Sequence, residues 1–104
     1  MLFPLIKNIR AMADRVRVSC IKKRDRKNPH ERIEGIGGVH NQAQWYMLED
    51  AAIAAIKNHQ WDFYVHEGGY TARVIVATHL GREYLKTERD GVSPDNLLSL
   101  PTCP

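Results

Sequence analysis

Residues 15 to 23, with the sequence RVRVSCIKK, alternate between polar and apolar side chains. Alternation with a period of two is typical of a β-strand that buries one face. The pattern predicts a first strand whose inward positions are Val16, Val18 and Cys20. The stretch ERIEGIGG is predicted to be its antiparallel hairpin partner, with Ile33 pointing inward and the glycines loosening or bulging the end of the strand.

The stretch WYMLEDAAIAAIKNHQ changes to a period of 3.6 and is rich in alanine, and both features favour a helix. Glu49 and Asp50 in the first turn suit the helix dipole. Met47 occupies the expected N-cap position without a capping side chain, so packing must stabilise the start of the helix. The face predicted to pack inward consists of Ala52, Ile53, Ile56 and, one turn earlier, Leu48 or Glu49.

Three further strands are predicted after the helix, in DFYVH, YTARVIVATH and REYLKT. Gly68, Gly69 and Gly81 lie between them, which indicates an antiparallel meander. The predicted fold class is therefore α+β, with a small antiparallel sheet in ββαβββ order and one central helix. We expect the helix to cover the face of the sheet that includes Phe63 and Val65.

The chain closes on SPDNLLSLPTCP, a hydrophobic cluster bounded by prolines. Ser93 as the N-cap and Pro94 at the first helical position predict a short helix, which ends before Pro101. A helix of this length is not stable alone. We therefore expect a short C-terminal helical turn that packs on the core through its leucines, and these are Leu97, Leu98 and Leu100.

The length of 104 residues suits a single hydrophobic core. Two units are expected: an N-terminal extension over residues 1–11 and a single α+β domain over residues 12–104. Met12 resembles a second translation start. The extension is then either disordered or a short amphipathic arm, because Leu2 and Leu5 begin an apolar pattern at helical spacing.

Two cysteines, Cys20 and Cys103, are too few for a disulfide framework. No secretory signal accompanies them, and no apolar run approaches the roughly 18 to 20 residues of a membrane-spanning helix. We expect two reduced thiols, a cytoplasmic location and no transmembrane segment.

The positive charge is concentrated in the first half of the chain, where KKRDRK has five cations in six residues. Such a cluster suits contact with phosphate groups, so nucleic acid is an alternative partner. The same charges are also typical of a solvated hairpin tip beside an edge strand. The candidate nucleic-acid-binding residues are Lys22, Lys23, Arg24, Arg26 and Lys27.

The face of the sheet opposite the predicted helix mixes aromatic and cationic side chains, as binding surfaces often do. Two predictions compete for this area: it is a binding surface, or the tail leucines cover it. The candidate binding residues are Tyr64, His66, Arg73, Tyr84 and Lys86.

No motif in the sequence indicates catalysis or a bound metal. The cysteines and histidines lack the spacing of a zinc site. His66 and Glu67 are neighbours in a strand and point to opposite faces, which is poor geometry for an acid/base pair. Neither GIGG nor EGGY passes directly from a strand into a helix, so their glycines suit turns or bulges rather than phosphate binding. We predict no catalytic residue, no metal and no cofactor.

The segments VSCI, GIGG, DAAIAAI, FYVHEGG, EYLKTERDG and DNLLSLPTC together resemble a family of small bacterial and archaeal domains of unknown function. The resemblance covers residues 16–103, and its most specific part is the tail motif Asn-Leu-Leu-x-Leu-Pro-x-Cys. It implies a single β-rich domain with a central helix. It implies neither an activity nor a site residue.

The small fold without catalytic motifs favours a cytoplasmic binding or adaptor module. Its expected partner is another protein or a second copy of the chain, and an exposed edge strand is one route to such contacts. The alternative is a nucleic-acid-binding accessory protein that uses the basic stretch over residues 22–27.

Overall fold

The computed structural model describes residues 14–91 and 93–104, so the predicted extension over residues 1–11 lies outside the described residues. Within them the chain forms seven strands, two α-helices and one 3-10 turn. The strands are β1 (Asp14–Arg17), β2 (Cys20–Lys23), β3 (Ile33–His40), β4 (Ala43–Leu48), β5 (Trp61–Glu67), β6 (Tyr70–His79) and β7 (Arg82–Thr87). The helices are α1 (Glu49–Lys57) and α2 (Asp95–Leu98), and the 3-10 turn is Pro29–Glu31.

The α+β class is confirmed, with a central helix and a short C-terminal helix. Each helix begins one residue later than predicted, because the N-caps are Leu48 and Pro94 rather than Met47 and Ser93. The predicted meander is also confirmed, because β5 pairs antiparallel with β6 and β6 with β7. Leu80 and Gly81 both have positive φ, as do Gly68 and Gly69, which is the geometry of two-residue hairpin turns. The strands form two sheets rather than one, in the orders β1-β5-β6-β7 and β2-β3-β4.

The predicted first strand is divided between these two sheets. β1 pairs in parallel with β5, whereas β2 forms the predicted antiparallel hairpin with β3. The Val18 N–H donates to the Tyr64 carbonyl at 2.8 Å, and the next N–H, of Ser19, donates to the Gly37 carbonyl at 3.0 Å. The prediction of one continuous strand is wrong, because alternating side chains do not reveal which neighbour each backbone group bonds.

The strand β4 is absent from the sequence prediction, which includes its residues WYML in the helical stretch. It runs antiparallel to β3 along its whole length. Asn41 and Gln42 have φ values of 51° and 70°, so they form the two-residue turn between these strands. α1 then begins after Leu48, whose side chain makes no capping hydrogen bond.

The hydrophobic core combines residues from both sheets, α1 and the tail. Leu97 and Leu100 are buried in it and Leu98 packs against it, which confirms the predicted role of the closing leucines. At the start of α1 the buried side chain is that of Glu49, while Leu48 is exposed.

The last residues of the chain return alongside β2. The Ile21 N–H donates to the Pro101 carbonyl at 3.0 Å, and the Cys103 N–H donates to the Ile21 carbonyl at 2.9 Å. Cys103 thereby reaches Cys20, and the two form a disulfide with a Cα–Cα distance of 4.8 Å. The prediction of two reduced thiols is wrong, because the cysteines are 83 positions apart in sequence and only the docked tail brings them together.

The disulfide bears on the predicted compartment. Disulfides persist mainly in oxidising environments, so the cytoplasmic location loses the support of free thiols and stays a prediction. No helix in the described ranges is long and apolar enough to cross a membrane.

Candidate functional site

Glu49 closes the outer edge of β7, the last strand of the four-stranded sheet. Only 1% of the surface of Glu49 is exposed. Oε2 accepts a hydrogen bond from the Leu85 N–H at 3.1 Å, and Oε1 accepts one from Arg82 Nη2 at 3.1 Å. Burial raises the pKa of the Glu49 carboxyl, and the Leu85 and Arg82 partners act in the opposite direction. Arg82 also donates to the His30 carbonyl at 2.8 Å, so the segment with the 3-10 turn is held against the same edge.

Two other sheet edges are closed by different means. The outer edge of β2 bonds to the tail through Pro101 and Cys103. β1 is only four residues long and bears the exposed side chains of Arg15 and Arg17. Short, charged edge strands oppose pairing with another chain.

The edge of β4 away from β3, called the free edge below, has none of these protections. No strand in the described residues pairs with it. A Cβ built on Gly37 would lie 2.8 Å from the Trp45 carbonyl oxygen, and one on Gly35 would lie 2.7 Å from that of Met47, so both carbonyls point toward β3. Because backbone direction alternates along a strand, the N–H and C=O groups of the intervening Tyr46 point outward. By the same alternation, the N–H and C=O groups of Gln44 also point to the free edge.

The strand that forms the free edge has no charged side chain of its own, and among the described residues the charged groups that contact it are Lys22, over the Tyr46 ring at 5.4 Å, and Glu34, which accepts a hydrogen bond from the Tyr46 hydroxyl at 3.3 Å. Residues 35 to 48 contain no Asp, Glu, Lys or Arg, although 26% of the chain is charged. Val39 and Leu48 are each 57% exposed and Tyr46 is 39% exposed, so three of the four large hydrophobic residues exposed in the described part of the chain lie on β3 and β4. Proteins usually blunt such an edge with charge or proline. β4 has neither a charged residue nor a proline, and this marks the free edge as a candidate interaction site.

An aromatic pocket opens beside the free edge, where β4 meets β1 and β5. Its volume is about 160 Å³. Trp45 stacks on Phe63 with ring centroids 5.4 Å apart, and His40 meets Trp61 edge-on at 6.1 Å. A cavity of about 150 Å³ is large enough for a benzene ring, so the pocket has room for one apolar side chain. The lining residues are Val16, His40, Ala43, Gln44, Trp45, Met47, Trp61 and Phe63.

The other face of the three-stranded sheet explains two glycines of β3. A Cβ on Gly35 would collide with the Tyr46 ring, and one on Gly37 would lie 2.9 Å from Cys103 Sγ. The ring and the disulfide therefore lie directly on the backbone of β3. The glycines provide this space within a strand that pairs regularly with β4. On its other side the register with β2 shifts after Gly35, where Lys22 pairs with Gly35 and Lys23 with Ile33, so the predicted bulge is present next to Gly35.

One protein family matches most of the chain. A family model described as "Protein of unknown function (DUF3892)" matches residues 17–101. The chain belongs to this family. No curated protein and no solved structure matches the chain significantly. Membership confirms the resemblance identified from the sequence, and the matched range includes the whole of β4.

The residues predicted to form a binding surface of this DUF3892 domain lie on strands of the four-stranded sheet, on the face away from the core. Tyr64 lies opposite Arg73 in the ladder, and His66 lies opposite Thr71. Arg73 forms an ion pair with Asp62 at 3.5 Å. The tail leucines pack in the core with the opposite face, so the competing prediction that they cover this surface is wrong.

The other two predicted surface residues lie on β7. Lys86 is opposite Ile75 in the ladder and donates to the Gly91 carbonyl at 3.0 Å. Tyr84 is only 2% exposed, and its ring centroid lies 5.8 Å from that of His30. Tyr84 is therefore buried, while a binding role for the remaining four residues stays a prediction.

The basic stretch extends from β2 into the connection that follows. Arg24 turns inward, and its Nη2 donates to the Ile33 carbonyl at 3.2 Å. Lys22 lies over the Tyr46 ring at 5.4 Å. The exposed cations of the stretch are Lys23, Arg26 and Lys27.

Nucleic-acid binding by the basic stretch stays a prediction. Reversing Lys23 and Lys27 to Glu should abolish a salt-sensitive gel shift of DNA or RNA if the stretch contacts phosphates. Absence of a shift by the unchanged protein at low salt would rule out this alternative.

The cysteines and histidines considered as zinc ligands do not form a metal site in the described residues. In the part of the chain that the structure describes, no three His, Cys, Asp or Glu side chains come close enough to hold a metal ion. Cys20 and Cys103 are bonded to each other. His66 contacts Thr71 Oγ1 at 2.7 Å, and Glu67 accepts a hydrogen bond from Arg17 at 3.1 Å.

Sequence reasoning missed the free edge and the two tryptophans of the pocket. AQWYML has Trp45 and Met47 alternating with Gln44 and Tyr46, which is a period-two pattern. Its lack of charge over residues 35 to 48 is the second signal. Both signals are present in the sequence, but the stretch with helical period begins at Trp45 and overlaps them.

Proposed function

We propose that this DUF3892 domain is a protein-binding module that receives an extended, apolar segment of another chain along the free edge of β4. One observation carries the proposal. Among the described edge strands, β4 alone is neither short, nor charged, nor covered by another segment, and it lies directly beside an apolar, aromatic pocket. The proposal specifies the binding-module hypothesis drawn from the sequence.

Addition of a strand to an exposed sheet edge uses main-chain hydrogen bonds for affinity and pockets for alternate side chains for specificity. At the free edge, the outward N–H and C=O groups of Gln44 and Tyr46 supply the main-chain bonds. Every second side chain of the added strand lies on the same face as Trp45 and Met47. That face is the one that opens into the aromatic pocket.

The chemistry of the edge selects for an apolar partner segment. The residues from 35 to 48 offer no charged group with which an acidic or basic peptide could pair. Trp45 and Trp61 provide large aromatic surfaces, which are enriched at protein interfaces. An uncharged extended segment therefore gains the most from this site.

The proposal is tested with a capped synthetic peptide of alternating valine and threonine, which lacks tryptophan. We expect a saturable change in the fluorescence of Trp45 and Trp61 when the peptide is titrated into the protein. We also expect slower amide hydrogen exchange at Gln44 and Tyr46 in its presence.

The matched variants are Gln44→Pro and Thr78→Lys. Proline at position 44 removes an outward N–H that β3 does not use, so the fold should persist and the peptide should no longer bind. Thr78 is exposed on β6, away from the free edge, so its change to Lys should leave binding unaltered. Equal binding to folded Gln44→Pro, or no response from the unchanged protein at a concentration where it is monomeric, would contradict the proposal.

A further inference from the structure

We infer that the partner at the free edge is a second copy of this chain, paired antiparallel through β4 about a two-fold axis. This inference rests on the proposed function of the free edge and identifies its occupant. It would join two three-stranded sheets into one continuous six-stranded sheet, a common size in folded proteins.

Charge is the first argument for a second copy. β4 has no charged side chain, so two copies meet without the like-charge contacts that destabilise strand pairs. The partner best suited to the free edge is itself an exposed, apolar and uncharged strand. β4 of another molecule has all of these properties.

Backbone geometry is the second argument. Consider a two-fold axis normal to the sheet that passes beside Trp45 or beside Tyr46. In either case, the residues whose N–H and C=O groups point to the free edge lie opposite one another in the two copies. With the axis at Tyr46, Gln44 faces Leu48 and Trp45 faces Met47. With the axis at Trp45, Gln44 faces Tyr46. In both registers the outward groups of Gln44 and Tyr46 find hydrogen-bonding partners.

The pocket is the third argument. Trp45 lies at its rim, on the face that β4 shares with Met47. In the paired arrangement the Trp45 or Met47 side chain of the second copy lies across from Trp45, at the mouth of the pocket. The contact buries apolar surface that is otherwise in contact with water, and the symmetry does so twice.

The closed edges elsewhere limit this association to two copies. Glu49 occupies the β7 edge and the tail occupies the β2 edge, so neither of these described edges offers a further strand-pairing surface. A symmetric contact through one patch is self-complementary and closed. The expected assembly is therefore a dimer rather than a filament.

Sedimentation equilibrium of the full chain at loading concentrations from about 1 µM to about 1 mM tests the inference. We expect the mass to rise with concentration from 11.9 kDa for one chain toward twice that value. Gln44→Lys, which places one cation per copy in the paired strands, should weaken dimerisation about tenfold. Gln44→Pro should leave a monomer, and Thr78→Lys should dimerise like the unchanged protein, with a cooperative thermal melt confirming that each variant is folded.

Each other outcome overturns the inference. A mass that stays at 11.9 kDa at every concentration excludes the second copy, and if the valine–threonine peptide still binds, the proposed function survives without it. A dimer that persists in folded Gln44→Pro uses another surface. A dimer lost when residues 1–11 are deleted, with β4 unchanged, is formed by the extension instead.

Discussion

The outer edges of β7 and β4 both present backbone groups that can pair with another strand. At β7, the Glu49 carboxylate accepts the hydrogen bond of the Leu85 N–H, and Arg82 holds the chain near His30 against the same edge. At β4, no described residue performs this role for Tyr46. Among the described edges, those of β7 and β2 are covered and that of β1 is short and charged, whereas the edge of β4 has none of these protections. This contrast is the basis for assigning binding to β4.

Deleting residues 95–104 tests the contrast most severely, because it opens the β2 edge. The deletion removes the buried Leu97 and Leu100 and the disulfide partner of Cys20. Each buried leucine contributes about 1.5 to 3 kcal/mol, so we expect the shortened chain to unfold or aggregate. Thermal unfolding followed by circular dichroism measures this. A cooperative melt near the midpoint of the full chain would show that the tail does not close the core.

Reduction of the disulfide loosens the same edge reversibly. The bond joins residues separated by 83 positions, and a loop of this size stabilises the folded state by about 4.5 kcal/mol in the chain-entropy model. We expect that loss in the free energy of unfolding when a dithiol is added before denaturant titration. The double variant Cys20→Ser/Cys103→Ser is the control, and its stability should not respond to the dithiol.

Glu49→Ala should open the β7 edge at a cost of about 3 kcal/mol, because it leaves the Leu85 N–H and Arg82 without their buried acceptor. Glu83→Ala on the same strand removes an exposed ion pair with Lys57 and should cost less than about 1 kcal/mol. Denaturant titration measures both. Equal effects would show that the Glu49 carboxylate does not protect the edge.

The pH dependence of Glu49 gives a separate test. Its pKa is raised by burial, so the folded state holds the proton more tightly than the unfolded chain. The resulting stabilisation is complete below the ordinary pKa of a glutamate and is lost as the pH rises through the raised value. The stability of the unchanged protein relative to Glu49→Gln should therefore decrease as the pH rises from the ordinary pKa of a glutamate, about 4.3, through the raised value. A relative stability that increases over this range would contradict the burial argument.

Gln42→Gly should have the smallest effect and should strengthen the hairpin that presents the free edge. Gln42 has a φ of 70°, where glycine is favoured over a residue with a side chain. We expect a gain of about 0.5 to 1 kcal/mol in the free energy of unfolding. Gly69→Ala, at a φ of 83° in the turn between β5 and β6, is the matched reverse change and should destabilise the domain.

Much of the fold was predictable because its signals are local. The alternation around Val16, the helical period around Ile53 and the glycine turns predict elements that the structure contains. The proline-bounded leucines also predict a buried tail, since only burial stabilises so short a helix. Local patterns therefore suffice for the α+β class and for most of the element order.

The division into two sheets was not predictable in the same way. It depends on which strand bonds each backbone group of Val18 and Ser19, and side-chain periodicity does not contain this information. The disulfide depends on the return of the tail to β2, a contact between residues 83 positions apart. Both features arise from long-range packing.

The candidate site is defined by protections that β4 lacks and the other edge strands have. The free edge is recognised because charge, cover and a partner strand are missing at β4, and their presence at β1, β2 and β7 becomes visible only in the assembled sheets. The pocket requires Trp45 and Trp61, which belong to different sheets, to line the same cavity. Sequence reasoning reached the idea of an exposed edge strand without locating it.

Amide hydrogen exchange at Gln44 and Tyr46, measured by nuclear magnetic resonance at increasing protein concentration, tests the central claim most directly. The account predicts that both amides exchange rapidly in dilute solution and slowly in concentrated solution, while the Leu85 amide, bonded to Glu49, is protected throughout. Exchange at Gln44 and Tyr46 that is independent of concentration would contradict pairing of β4 between two copies.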